Sequence, residues 1–339
     1  AWALLLALLG LVLLSLALRG FARAQASMAS WLLYAFSVLS LLAASYFLEW
    51  ASGGSGRPSA TRARLDHRTL ALALGVVAVA GVALFLRVYQ LGIHPFGLWV
   101  DEAQHGLLGR RLLEEDPSWH VYIPEVNMPS PFVYLQGGLA LWLGSTVEAV
   151  RLPSALVGFA TVPVLYLLGR RLLGNWAGLG AAFLLAVSFW HLVLSRSGMP
   201  IALAPAVAVA SVYLLLVAVG SGRVEHYALA GLALGLSPWT YQAMRGFVLV
   251  PALFLLYLLW VCPQRRRALL AGLAVYFAVA LAVAAPIIQY ALLHPDAFWH
   301  RAQEVSVFRG QSFPMGLKTA LENLRDHLGM FHWRGDTNG

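Results

Sequence analysis

Stretches of fifteen to twenty-odd apolar residues recur along most of the chain, and a run of that kind with no acid inside it belongs in a bilayer. They cover residues 2–18, 28–48, 69–91, 152–168, 175–195, 201–219, 227–241, 247–262 and 269–292. As helix, about 20 residues span a hydrocarbon core about 30 Å thick. The expected fold is therefore all-α, a multi-pass transmembrane helical bundle. Composition removes the soluble alternative, because only 11% of the 339 residues are charged and 60% are hydrophobic. A soluble domain carries roughly 25% charged residues. The single cysteine, Cys262, excludes an intrachain disulfide framework and a thiolate zinc cluster. The opening Ala1 and the closing polar run 334–339 read as the ends of a fragment.

Charge divides the segments between the spans. The formal net charge is +8, and Lys318 is the only lysine among the 23 basic residues. In a lipid-embedded chain such an excess argues for orientation and anionic headgroups, and not for nucleic acid. Arginines gather at Arg57, Arg62, Arg64 and Arg68, at Arg170 and Arg171, at Arg223, and at Arg265, Arg266 and Arg267. By the positive-inside rule these mark cytoplasmic loops. The alternation holds only if the apolar stretch 132–144 does not cross, and it is too short to do so. Arg19 and Arg23 would then lie outside, which fits the rule less well. Acids collect in two outer segments: Asp101, Glu102, Glu114, Glu115, Asp116, Glu125 and Glu148, then Asp296, Glu304, Glu322, Asp326 and Asp336. Chemistry that needs a carboxylate is expected at the outer face of a cytoplasmic (inner) membrane.

These divisions give three expected parts. Residues 1–68 hold two spans and a basic Gly/Ser linker at 52–68. Residues 69–292 form a transmembrane core with an outer catalytic loop at 92–150. Residues 293–339 are a second outer loop, truncated before a C-terminal part. Within the first outer loop, the amphipathic stretch after Asp101 reads as a helix lying in the interface. Asp101 with Gln104 three residues on has the capping-box spacing, which gives Asp101 a structural reading as an N-cap. Asp101 and His105 are one turn apart and can face one cavity. Taken alone, His105 reads as an exposed interfacial residue. Trp99, Trp119, Tyr122, Trp190, Trp239 and Tyr241 read as an aromatic belt.

Several short motifs then fall into a familiar order. They are Val100-Asp101-Glu102-Ala103, Pro131-Phe132-Val133-Tyr134-Leu135-Gln136, Val150-Arg151-Leu152-Pro153-Ser154-Ala155-Leu156-Val157-Gly158, Leu168-Gly169-Arg170-Arg171-Leu172, Ser195-Arg196, and His294-Pro295-Asp296-Ala297-Phe298-Trp299. With this set, residues 69–310 resemble the GT-C type membrane glycosyltransferases, in particular the protein O-mannosyltransferase and aminoarabinose transferase group (glycosyltransferase family 39-like). The resemblance implies a GT-C-like bundle that moves a mannose-like hexose or related sugar from a polyprenyl-phosphate carrier to a hydroxyl of a protein, lipid or glycan. It implies catalysis by Asp101, with Glu102 beside it, since a neutral hydroxyl attacks poorly without a positioned base. Arg196 and Arg245 are candidates for the carrier phosphate, and interfacial snorkelling is the plainer reading of both. His105, Asp296 and Glu304 complete the expected substrate contacts. A divalent metal ion held by Asp101, His294 and His300 is the candidate cofactor. Aminoarabinose-type members carry a further acid where this chain reads Ser197-Gly198-Met199-Pro200-Ile201, and a lysine near Asn127-Met128-Pro129. The donor therefore stays open. The rival readings are a transporter or flippase of polyprenyl-linked intermediates and a catalytically silent membrane subunit. A transporter tends to carry charges near the midplane and paired broken helices.

Overall fold

The computed structural model describes residues 2–23, 26–51, 66–116 and 118–329. The expected linker at 52–68 lies outside them, apart from Asp66, His67 and Arg68. The described chain divides into two compact units, Ala1–Gln289 and Tyr290–Gly339.

In the first unit, α1 (Trp2–Phe21) and α2 (Met28–Ala51) form an antiparallel pair, and α3 (His67–Val88) follows. Asp66 starts α3 by accepting from the Thr69 amide at 2.8 Å. Then come α4 (Val100–Glu115), a two-residue hairpin of β1 (Tyr122–Ile123) against β2 (Met128–Pro129), and α5 (Ser130–Leu143). The long α6 (Val147–Leu173) begins at Thr146, whose hydroxyl accepts from the Ala149 amide. It is followed by α7 (Asn175–Val187), α8 (Phe189–Arg196), α9 (Leu203–Ser221), α10 (Val224–Gly235), α11 (Leu249–Val261) and α12 (Arg266–Leu293). The second unit carries α13 (Pro295–Glu304) and α14 (Phe313–Gly329).

Among the described residues, seven helices are long and apolar enough to cross a bilayer, and the pair α7–α8 makes an eighth if its 56° bend is one broken span. The protein is a multi-pass membrane bundle. Outward-facing leucines such as Leu4, Leu74, Leu184 and Leu253, all more than 60% exposed, are the lipid surface of such a bundle. As expected, α5 is only 14 residues and falls short of a span.

Two expected spans take a different form. The stretch 175–195 breaks at Ser188. The stretch 227–241 is helical only to Gly235, a helix of 12 residues, before a 3-10 turn at Ser237–Trp239. Length alone would keep this segment out of the bilayer, yet its ends lie at different depths. The Val224 amide donates to Glu49 at 2.9 Å, while the Trp239 ring lies 5.7 Å from that of Trp31. Trp31 and Glu49 belong to the same helix, α2, and their separation corresponds to about 27 Å of helical rise. So 224–239 traverses nearly the thickness of a hydrocarbon core. It packs through Tyr227, Ala230 and Leu234 against Tyr276, Leu273 and Ala280 of α12. A helix enclosed by other helices needs no twenty-residue apolar coat, which is why periodicity overestimated its extent.

The segment between α3 and α6 is compact. Helices α4 and α5 cross where Gly109 meets Gly137, and a Cβ on either would strike the backbone of the other helix. Leu108 and Leu112 of α4 pack on Ile123, Met128 and Val133. Tyr134 ties the loop ahead of the hairpin, accepting from the His120 amide at 2.9 Å and donating to the Ser118 carbonyl at 3.2 Å. Trp31 of α2 donates to the Trp119 carbonyl at 2.9 Å, so this loop is also fastened to the first helix pair.

Candidate active site at the head of α4

The helix α4 begins at Val100, and its N-cap is Trp99, in extended conformation and with no side-chain capping bond. Asp101 is thus in the first turn and not at the cap, which corrects the capping-box expectation. Its carboxylate is exposed and sits by the positive end of the helix dipole, a favourable place for negative charge.

The next residue is built in differently. Glu102 is 0% exposed and its Oε2 accepts from Arg151 Nε at 2.8 Å, with Arg151 also 0% exposed. Arg151 lies in the second turn of α6. Its remaining nitrogens donate to the carbonyls of Leu91 (3.1 Å), Pro95 (3.0 Å) and Gly97 (2.6 Å). One buried guanidinium therefore holds α4, α6 and the turn that leads into Asp101. Glu102 Oε1 is buried with no hydrogen-bond partner among the described residues. Of the two expected catalytic acids, the structure exposes Asp101 and locks Glu102 into a buried ion pair.

His105 is 3% exposed, against the expectation of an exposed interfacial side chain. Burial pushes its pKa below the ordinary histidine value, opposed by the nearby Asp101 carboxylate and the Gly198 backbone. The same Gly198 carbonyl, together with that of Val150, accepts from Gln136 Nε2, both at 2.8 Å. Ser154 donates to the Met199 carbonyl at 3.0 Å. The loop 197–199, which carries no acid, is thus pinned against α4, α5 and α6.

Arg196 closes the end of α3. Its guanidinium donates to the carbonyls of Leu86, Tyr89, Gln90 and His94, with Nη2 at 2.8 Å from Tyr89 and 3.0 Å from His94. Those of Leu86 and Tyr89 belong to the end of α3, where a helix leaves carbonyls without intrahelical partners, so the geometry gives Arg196 a backbone-capping task. Arg245 stands in the 3-10 turn Gln242–Gly246, with Nη2 3.5 Å from the Tyr122 hydroxyl. Gln242 of the same turn donates to the Asn127 carbonyl at 3.0 Å, which joins this turn to the β1–β2 hairpin. Burial raises the Tyr122 pKa, and the positive Arg245 works against that rise.

Asp296 and Glu304 belong to α13, in the second unit. Both are exposed, and Glu304 pairs with His300 and Arg301 at 3.4 Å each. Among the described residues no group of three or more His, Cys, Asp or Glu is placed to hold a metal ion. Asp101 lies in the first unit, His294 and His300 in the second. Arg151 and Gln136 stand inside the recognised motifs with no role of their own in the sequence, and Arg87 stands in none of them. The signal for Arg151 was a lone arginine heading a long apolar helix. Such a cation must be paired in the bundle interior.

Comparison with proteins of known structure fixes the architecture. The chain superposes on the archaeal oligosaccharyltransferase AglB from Archaeoglobus fulgidus, a structure in complex with an inhibitory peptide and a dolichol-phosphate, with a TM-score of 0.51. The match covers 78% of this chain and 37% of that one, at 17% identity. The fold is of the GT-C type. The chain spans little more than a third of that enzyme's length. Residues 128–290, just under half of the chain, match the family described as dolichyl-phosphate-mannose-protein mannosyltransferase. That region takes in α5 through most of α12, including Arg151, Arg196 and Arg245; Asp101 and Glu102 lie before it. No protein of curated function matches the chain.

Proposed function

We propose that the protein is a glycosyltransferase that moves a sugar from a polyprenyl-phosphate carrier to a hydroxyl acceptor, at the membrane face that carries residues 92–150. The observation that carries this reading is the pairing of an exposed Asp101 with a buried Glu102–Arg151 clamp at its back. An exposed carboxylate on a rigid backbone can meet an acceptor in a fixed geometry, and such positioning lowers the barrier for attack. The match of 128–290 to mannosyltransferases and the likeness to a dolichol-phosphate-bound enzyme support the carrier class. A mannose-like hexose is the proposed sugar, and the proposed site is the outer face of a cytoplasmic membrane.

In this reaction the acceptor oxygen forms a bond to the anomeric carbon while the bond from that carbon to the phosphate oxygen breaks. The hydroxyl proton passes to Asp101, and the polyprenyl phosphate departs with its electron pair. Asp101 acts as general base. Arg245, half-buried beside Tyr122, is the proposed phosphate contact, because an arginine fork can bind two phosphate oxygens at once. Arg196 contributes through the turn that it caps. Glu102 acts by position, through Arg151 and the carbonyls of Pro95 and Gly97.

The test is transfer by the full chain, purified in detergent, from a polyprenyl-phosphate sugar. Asp101→Asn keeps size and hydrogen bonding, so the fold should stand while turnover falls by roughly 100-fold or more. Near-normal turnover of Asp101→Asn would remove Asp101 from the chemistry.

A further inference from the structure

We propose that α14 lies in the membrane interface, with its leucine face among the lipid acyl chains and Lys318 and Arg325 level with the headgroup phosphates. At about 100° per residue, Phe313, Leu317, Leu321, Leu324 and Leu328 fall within one narrow arc of the helix. All five are exposed, from 45% for Leu317 to 71% for Phe313. A soluble unit would have turned that arc inward.

The charges around the arc are sorted. Arg325 and Lys318 stand at its edge, next to Leu321 and Pro314, and their ion-pair partners Asp326 (3.3 Å) and Glu322 (3.9 Å) stand further round the helix from the leucines. Cations at the boundary and acids away from it match a surface of phosphate groups over hydrocarbon. Along that edge runs a shallow groove of about 450 Å³ lined by Pro314, Leu317, Lys318, Leu321, Glu322 and Arg325, with an apolar floor and a charged rim. Chain continuity supplies the membrane. The helix α12 ends at Leu293, with Leu292 76% and Leu293 53% exposed as lipid-facing side chains. The helix α14 starts within twenty residues of that end, and α13 with the exposed Trp299 occupies half of the interval. The lipid-facing surface of the last span thus leads by a short tether to a second apolar, exposed surface.

The experiment uses the full chain in nanodiscs of phosphatidylethanolamine and phosphatidylglycerol, with single cysteines introduced on a Cys262→Ser background and spin-labelled. Collisions with dissolved oxygen, enriched in the acyl region, are compared with collisions with a water-soluble nickel chelate. Labels at Leu321 and Leu324 should favour oxygen several-fold, and labels at Glu322 and Asn323 should favour nickel. Lys318→Glu with Arg325→Glu should reduce the oxygen preference at Leu324 severalfold. A Leu324 label as nickel-accessible as the Glu322 label would put the face in water and overturn the proposal. A Leu324 label shielded from both reagents would also overturn it, because the face would then be docked on protein.

Discussion

Arg151 in α6 and Arg87 in α3 are both withdrawn completely from solvent, yet only Arg151 has a carboxylate against it. Arg151 meets Glu102 at 2.8 Å and uses its other nitrogens to hold three carbonyls of the turn before α4. Arg87 has no ion-pair partner among the described residues. It donates to the carbonyls of Ala83 (2.9 Å), Ala186 (3.2 Å) and Leu185 (3.3 Å), and its Nη2 lies 2.7 Å from His191 Nδ1. Leu185 and Ala186 precede the break at Ser188, so Arg87 satisfies carbonyls that the bent span exposes. One arginine locks a neutral pair beneath the exposed Asp101. The other solvates a broken helix. Near Asp101 the protein keeps the arginine's charge cancelled by Glu102, and under the proposed function this leaves the surface carboxylate as the active charge of the site.

The comparison breaks most readily at Arg151. Arg151→Met should strand Glu102 as a buried, unpaired carboxylate and cost about 3–5 kcal/mol. The double variant Arg151→Met with Glu102→Leu should recover a large part of that loss, since removing both charges ends the desolvation penalty. Thermal or denaturant unfolding in detergent measures both. A double variant no more stable than the single one would mean that the carbonyl ties to Leu91, Pro95 and Gly97 carry the stabilisation, and not the ion pair.

Arg87→Met should cost less, about 1–3 kcal/mol, because it strands neutral carbonyls and an imidazole instead of a charge. Its expected signature is local: faster amide exchange near Ser188, with α4 unaffected. If Arg87→Met proved as damaging as Arg151→Met, the distinction between the two sites would fail.

A smaller effect separates the two faces by pH. The pKa of His105 is lowered chiefly by burial, so between that value and the ordinary value near 6.5 the unfolded chain binds more protons. Stability should therefore fall as pH drops through this window and level off once the folded-state group also titrates. His105→Gln should flatten the slope without changing stability much at neutral pH. An unchanged slope in His105→Gln would assign the dependence to another group.

The spans were readable because long apolar runs leave few choices for a backbone that must satisfy its own hydrogen bonds. Even so, the expected span 227–241 takes the form of a short helix, Val224–Gly235, sheltered by α2, α9 and α12, and shelter is a tertiary property that periodicity does not carry. Asp101 was legible as a surface acid near a helix start, but its spacing with Gln104 pointed to a cap. The actual start at Val100 is tied to the turn that Arg151 holds, and that tie comes from α6. The span at 152–168 began too late, leaving Arg151 outside it; the helix begins at Val147 and turns Arg151 inward. His105 looked exposed because nothing local shows that the loop 197–199 folds over it. The metal expectation drew on residues from two sequence-distant loops, whose assembly no spacing can encode.

The last and smallest test concerns Asp116, at the far end of α4 from Asp101, where a carboxylate–imidazole pair is partly open to solvent instead of buried under protein. Asp116 Oδ2 lies 2.9 Å from His120 Nε2, and Oδ1 accepts from the Ser118 amide at 2.8 Å. The His120 bond first, then the Ser118 amide, hold the carboxyl below its ordinary pKa. A lowered folded-state pKa gives stability that is present above the unfolded value and is lost as pH falls through the folded one. Both side chains are about one-third exposed (36% for His120, 35% for Asp116), so water screens the pair and its worth is about 0.2–1 kcal/mol. Asp116→Asn should therefore barely change unfolding at neutral pH while speeding exchange of the Ser118 amide, and acidification of the wild type should do the same. A loss comparable to that of Arg151→Met would mean that the two ends of α4 are equally anchored. The contrast between the buried clamp and the exposed pair would then have no energetic content.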